Sequence, residues 1–175
     1  MIIKNYKTLE STNLEAKELA QKGADPWTIV VAKEQTGGYG RKKSVWSSPK
    51  GGLYFSIILP KSNIDDLQTL TILAAFICAK TIKENSNLEP FIKLPNDVWV
   101  NGKKLAGILT ENIIGRDVKT SVIGIGLNTN IKKFPKDLEN IATSLKIELG
   151  REVDNQKILG QIIKGLEEQL RTISE

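Results

Sequence analysis

The dipeptide Asn101-Gly102 constrains this chain more than any other feature. It lies between Asp97-Val98-Trp99-Val100 and Lys103-Lys104-Leu105-Ala106-Gly107, two runs rich in apolar and β-forming residues. Both central positions of a two-residue hairpin turn need positive φ, and Asn-Gly meets that need at little steric cost. A two-residue loop fixes the register: Val100 faces Lys103, Trp99 faces Lys104, Val98 faces Leu105 and Asp97 faces Ala106. Side chains alternate across a sheet. Asp97, Trp99, Lys104 and Ala106 are therefore expected on one face, and Val98, Val100 and Leu105 on the other. Asp97 and Lys104 become diagonal neighbours about 7–8 Å apart at the backbone. Spacing alone leaves three outcomes open: no contact, a weak surface pair worth at most about 1 kcal/mol, or two charges flanking a ligand.

The rest of the chain supplies a sheet and helices for this hairpin. Strands are expected at residues 2–9, Trp27 to Ala32, Leu53 to Leu59, Lys103 to about Glu111, and Lys119 to Leu127. The unbroken apolar run from Leu53 suggests burial on both faces. Thr12 and Glu15 fit a capping box for a first helix, which Gly23 closes in the left-handed conformation. A long helix is expected from Ile64 to Glu84, with Leu67, Leu70, Ala74, Ile77 and Thr81 in one stripe that Leu73 and Phe76 widen. Gly115-Arg116-Asp117 reads as a turn, and residues 140–150 as a short helix or turn. In a last helix, from about Asp154 to Ile173, an amphipathic stripe runs through Leu159, Ile163, Leu166, Leu170 and Ile173.

What is missing narrows the chemistry. The chain has no histidine, which excludes Ser-His-Asp and Cys-His nucleophile systems and the usual zinc centres. No protein-borne metal centre is expected. A single cysteine, Cys78, excludes an internal disulfide and fits a reducing, cytoplasmic setting. No segment approaches the ~20 apolar residues needed to span a bilayer. The net charge of +5 over 175 residues admits an anionic substrate or an acidic partner, but no dense basic stripe marks a nucleic-acid surface. A chain of this length fits one domain.

Three polar stretches interrupt the pattern. Ser11-Thr12-Asn13 opens the first helix, where free N–H groups can meet a polar ligand. Gly37-Gly38-Tyr39-Gly40 runs into Arg41-Lys42-Lys43 and could form a backbone nest for an anion. That loop is neither a phosphate-binding loop of the Gly-Lys-Ser/Thr kind nor a Rossmann fingerprint. Gly124 and Gly126 alternate in a strand otherwise expected to be buried, which marks close approach of a backbone or ligand on one face.

Together these residues resemble the catalytic domain of biotin protein ligases. Glu34-Gln35-Thr36-Gly37-Gly38-Tyr39-Gly40-Arg41, followed by Trp46-Ser47-Ser48-Pro49, resembles that family's adenylate loop. Lys93-Leu94-Pro95-Asn96-Asp97, followed by Lys104-Leu105-Ala106-Gly107-Ile108-Leu109-Thr110-Glu111, resembles its Lys-Trp-Pro-Asn-Asp hairpin. Gly124-Ile125-Gly126-Leu127-Asn128 and Ser11-Thr12-Asn13 complete the set in the family's order. The resemblance runs from about residue 8 to 145. It implies an α/β (α+β) fold: a mixed sheet with helices mainly on one face, similar to class II aminoacyl-tRNA synthetases.

It also implies a reaction. Biotin and MgATP would form biotinyl-5′-adenylate and pyrophosphate, and a carrier lysine would then attack the mixed anhydride. Ser11, Thr12, Asn13 and Gln35 would belong to the biotin site. Gly38, Tyr39, Gly40 and Arg41 would serve the adenylate, Gly38 and Gly40 would also belong to the biotin site, and Arg41 would join Lys104 and Asp97 as catalytic. Lys104 would contact the biotin carboxylate and the charge developing on phosphorus, Asn96 would lie near the phosphates and metal, and Asp97 would orient the incoming lysine. Gly107 and Gly126 would leave room for ligand, and Asn128 would approach the nucleotide. The partner implied is a biotin carboxyl carrier protein or domain, with no nucleic acid and no membrane; a homodimer stays open.

Departures from the family pattern are Tyr39 and Ser44, where arginines are common. No segment precedes Met1 and only a helix follows the catalytic region, so neither a DNA-binding domain nor the family's small C-terminal β domain is expected. Two other functions compete: a lipoate or octanoate ligase on the same fold, and a module that binds biotin or biotinyl-AMP but transfers poorly.

Overall fold

A computed structural model describes residues 1–60, 66–114 and 119–174; nothing is said of the side chains of 114–119 and 173–175. Gly115-Arg116-Asp117 and Ile64 lie outside the described residues, as does the side chain of Ile173.

Seven strands form one sheet in the order β1-β2-β3-β7-β6-β5-β4. They are β1 (Ile2–Tyr6), β2 (Thr28–Ala32), β3 (Leu53–Ile58), β4 (Phe91–Lys93), β5 (Asp97–Val100), β6 (Lys103–Ile114) and β7 (Lys119–Leu127). Among the described strands only β1 and β2 pair in parallel; every other neighbour pair is antiparallel, so the sheet is mixed. The short strand β4 was not separated from the hairpin in the sequence pattern.

Parity along β3 explains both faces. Leu53, Phe55 and Ile57 join the main core with Leu70, Ala74 and Ile77 of α2 (Leu67–Asn85) and Leu159, Ile163 and Leu166 of α4 (Asn155–Ser174). Ile58 joins Val30 and Val122 in a second cluster with Ala16 and Ala20 of α1 (Thr12–Gln21). The two long helices thus cover one face and the short α1 lies on the other. Burial of each large apolar side chain contributes about 1.5–3 kcal/mol. Phe76, expected in the α2 stripe, is 53% exposed: it sits on the solvent side of a helix whose buried arc is already filled by Ala75, Ala79 and Ile82. Gly23, at φ 85°, closes α1 as expected. The Asp66 carboxylate caps α2 by accepting from the N–H groups of Gln68 and Thr69. The segment at 140–150 contains a short helix, α3 (Leu145–Leu149).

The hairpin turn has the expected left-handed pair, Asn101 at φ 49° and Gly102 at φ 77°. Its register holds for Val100↔Lys103 and Trp99↔Lys104, then slips: Val98 pairs with Ala106 and Asp97 with Gly107. Leu105 is the extra residue of a β-bulge. Ala106, expected beside Asp97, is instead fully buried in the main core with Leu105. A bulge re-aims everything beyond it. Here it carries Gly107 to the side occupied by Lys104, as the 3.4 Å from a Gly107 Cβ position to Lys104 Cε records. Leu109 and Glu111 follow on that side, while Ile108 stays in the core.

Candidate functional site

On the sheet face that carries α1, a cavity of about 350 Å³ is lined by Ser11, Thr12, Asn13, Gln35, Tyr39, Gly40, Arg41, Asn96, Asp97, Lys104, Gly107 and Gly126, with Trp46 and Ile125. Its volume is that of a small-molecule site. A second cavity of about 160 Å³ is lined by Lys104, Asn128 and Trp46 with the apolar Phe134, Leu138, Ile141 and Ala142. Lys104 and Trp46 belong to both walls.

The floor of the first cavity is polar and closed. Ser11 is the N-cap residue of α1, yet its side chain does not cap the helix. Gln35 does so instead, its Oε1 accepting from the Thr12 N–H at 2.7 Å while its Nε2 donates to Ser48 Oγ at 2.8 Å. The capping box read from Thr12 and Glu15 is therefore absent. Glu15 accepts from the Tyr6 hydroxyl, and the Thr12 hydroxyl lies 2.8 Å from Ser56 Oγ. Ser56 donates to Asn13 Oδ1 at 2.6 Å, and Asn13 Nδ2 donates to Glu111 Oε2 at 2.8 Å. Both ends of the Asn13 amide are thus committed to protein. Gln35 keeps one lone pair and one N–H for a ligand.

Gly124 and Gly126 mark close approach, but by protein side chains. A Cβ at Gly124 would fall 2.0 Å from Asn13 Oδ1, and one at Gly126 2.4 Å from Trp46 Nε1. The Trp46 indole also covers Gly107, 3.0 Å from its Cβ position. Gly107 and Gly126 thus admit Trp46, which closes the cavity that a ligand would enter. Gly38 does not line that cavity: its Cβ position is 2.7 Å from both Ser48 Oγ and the Trp46 carbonyl, so it lets the loop fold on itself.

The hairpin end of the site is charged. Lys104 Nζ lies 2.8 Å from Asp97 Oδ1, and the two side chains are 29% and 20% exposed. The expected shared face is therefore realised for this pair, and of the outcomes left open the two charges meet. That buried Asp97 oxygen has no hydrogen-bond partner in the described structure beyond this ionic contact. The Lys104 ammonium also stands 5.1 Å from the centre of the Trp46 ring. The Lys104 backbone is locked by Lys104 N–H to Ile141 O and Thr143 N–H to Lys104 O. Arg41 reaches Asn96 Oδ1 only at 3.5 Å and is exposed. Trp46 Nε1 and Asn128 Oδ1 are buried without hydrogen-bond partners among the described residues. Asn128 Nδ2, in contrast, donates to the Thr143 carbonyl.

Tyr39 turns beneath the loop. Its hydroxyl donates to Glu111 Oε2 at 2.8 Å and accepts from Lys17 Nζ at 3.2 Å, and Lys17 pairs with Glu111 Oε1 at 2.9 Å. Burial pushes the Glu111 carboxyl up, but hydrogen bonds from Lys17, Asn13 and Tyr39 together outweigh it and hold the group below its usual range. Burial likewise raises the Tyr39 phenol; it opposes the charge on Lys17, whose contacts with Glu111 and Tyr39 nonetheless leave that amine raised. Trp46, Ser56, Glu111 and Lys17 had no role in the sequence reading. Ser56 carried a signal, the one serine or threonine inside an otherwise apolar and aromatic strand. Lys17 carried none, since one cation on a helix reads as solvated surface.

Residues 6–128 match the model of the biotin/lipoate A/B protein ligase family, and the chain belongs to that family. It is 40% identical over 171 residues to a bifunctional ligase/repressor BirA of Bacillus subtilis, covering 95% of this chain and 53% of that protein. It is 34% identical over 157 residues to a biotin–[acetyl-CoA-carboxylase] ligase of Paracoccus denitrificans, 86% of this chain and 65% of that one. The chain spans about half the length of the first of these relatives. Among solved structures, biotin protein ligase from Aquifex aeolicus in complex with biotin and ATP superposes with a TM-score of 0.89 at 29% identity, covering 99% of this chain and 72% of that chain. The sheet with its helices is the fold of those ligases, similar to the class II synthetases.

Among the described residues, no helix is long and apolar enough to cross a membrane.

Proposed function

We propose that this chain joins biotin to ATP as biotinyl-5′-adenylate and passes the acyl group to a lysine of a biotin carboxyl carrier protein. The observation that supports this most is Lys104, which stands where the polar-floored cavity meets the smaller apolar one. A ureido ring over Ser11, Thr12 and Gln35 would send its carboxylate toward Lys104. An adenine in the smaller cavity would meet the unpaired Asn128 Oδ1 with its exocyclic amine. The carboxylate and the α-phosphorus would then meet beside the ammonium.

The chemistry follows from that placement. A carboxylate oxygen attacks the α-phosphorus, the bond to pyrophosphate breaks, and the ammonium of Lys104 offsets charge developing on the transferred phosphoryl group. Arg41 and Gly40 bring a guanidinium and backbone to the same oxygens. Mg2+ enters as the counter-ion of the nucleotide's phosphates, with Asn96 at their side. Among the described residues no group of three or more carboxylate, thiol or imidazole side chains gathers to hold a metal of its own. In the second step the carrier amine attacks the acyl carbon and AMP leaves. Asp97, already partnered with Lys104, orients that amine and takes its proton. Much of the gain comes from holding two substrates in line.

The test is pyrophosphate release with Mg2+, ATP and either biotin or lipoate, followed by addition of a carrier domain. Release with biotin and transfer to the carrier is expected. Turnover with lipoate alone removes the reading, and adenylate that never transfers reduces the chain to a binder.

A further inference from the structure

We propose that Lys17 and Glu111 are positioning residues that clasp Tyr39 and thereby hold the glycine loop over the cavity. This deepens the ligase reading and rests on it for its effect on activity, but not for the clasp itself.

Residues 41–45 are exposed, and Val45 is 90% exposed. The loop folds on itself through Gly40 N–H to Ser44 O at 2.8 Å and Trp46 N–H to Gly38 O at 2.9 Å. Those bonds shape the loop without fixing it to the body. Arg41 adds only the 3.5 Å contact with Asn96. Tyr39 is different. Its hydroxyl is shared between a carboxylate on β6 and an ammonium on α1, and the ammonium also lies 5.8 Å from the centre of its ring. Charge-assisted bonds of this kind are the stronger ones, and partial burial strengthens them further.

The three elements meet for reasons visible in the backbone. Lys17 is four residues past Asn13, on the same face of α1, and Asn13 already touches Glu111. The bulge at Leu105 brings Glu111 to the α1 side of the sheet. The carboxylate therefore ties the floor residue Asn13 and the loop residue Tyr39 to one point. Half-buried Gly40 and exposed Arg41 are the next two residues of the loop. Where they stand over the cavity is set by where Tyr39 is held on one side and by where Trp46 rests against Gly107 and Gly126 on the other. Among the described residues, none of the three bonds to Lys104, so the clasp acts on how the loop is held and not on the reacting atoms.

Hydrogen exchange of the full chain without ligand tests the clasp directly. Tyr39→Phe removes one oxygen and leaves the ring. The amides of Gly40 and Trp46 are expected to exchange about tenfold faster in that variant, the size of one lost hydrogen bond to a charged group, while those of β3 and β7 stay as they were. Unchanged loop exchange overturns the proposal whether or not the protein is a ligase. Lys17→Met should then lower kcat for adenylate formation about tenfold with KM for biotin held within twofold, and Lys17→Arg should restore it. If Met and Arg at position 17 behave alike, the charge at Lys17 has no part in holding the loop, and the assignment falls.

Discussion

The two ends of the first cavity differ in how far their polar groups are already satisfied. At the α1 end, Gln35, Ser48, Ser56, Asn13 and Glu111 bond to one another or to backbone. At the hairpin end, among the described residues, Trp46 Nε1 and Asn128 Oδ1 are buried with no hydrogen bond, Asp97 Oδ1 meets only the Lys104 ammonium, and Arg41 is barely engaged. Orphaned buried polar atoms are costly and few in native proteins. Concentrating them where charge would develop separates a rigid recognition end from a reactive end whose groups are unspent until a substrate arrives.

Substitutions can break this contrast. The largest effect is expected from Lys104→Ala, which should slow adenylate formation on the order of 100-fold or more by removing the fixed cation; single-turnover pyrophosphate release measures it. Asp97→Ala should slow transfer to the carrier by about 10- to 100-fold while sparing the first step, read by mixing preformed adenylate with carrier. Equal loss in both steps would mean that Asp97 serves mainly to place Lys104. At the rigid end, Gly124→Ala forces a methyl group onto Asn13 and should cost about 1–3 kcal/mol in thermal unfolding. A variant as stable as the parent would show that the floor is softer than its hydrogen bonds imply.

The smallest effect concerns pH. Glu111 titrates below its ordinary value of 4.5, so its contribution is full above that value and is lost as pH falls through the lower, folded-state value. Lys17 and Tyr39 titrate above 10.5 and 10.0 respectively, so their contribution is full below those values and is lost as pH rises past them. Glu111→Gln should flatten the acid limb of a stability profile by about 1 kcal/mol or less, measured as Tm against pH.

How much of this was legible depended on whether the cause was local. The Asn101-Gly102 turn, the Gly23 stop and the doubly buried β3 were readable, because φ preference and apolar runs are properties of short segments. The shared side of Asp97 and Lys104 was readable for the same reason. The capping box failed because Tyr6 and Ser56, distant in sequence, claimed the Glu15 carboxylate and the Thr12 hydroxyl. The bulge was not readable: Leu105 and Ala106 are both apolar, and period-two alternation gives no sign that one of them is supernumerary. Glu111 stood inside a family motif with no role until the slip in register turned it toward α1. The resemblance to known ligases named the charged residues, and the coordinates showed that Asn13, Gly38 and Tyr39 serve architecture at least as much as ligand.

The extra residue at Leu105 makes this half of the sheet sensitive to counting. Insertions at the exposed tip, Asn101-Gly102, would lengthen the ribbon's end and leave sidedness downstream intact. Deleting Leu105 or Ala106 would leave one residue where two now face the core, and Gly107, Leu109 and Glu111 would stay on the α1 side. Deleting one residue from the regular run beyond, such as Ile108, would invert odd and even for the remainder of β6 and thrust Leu109 and Glu111 into the oily layer. Length variation in this ribbon should therefore be tolerated at the tip and at the bulge, and lethal past Gly107.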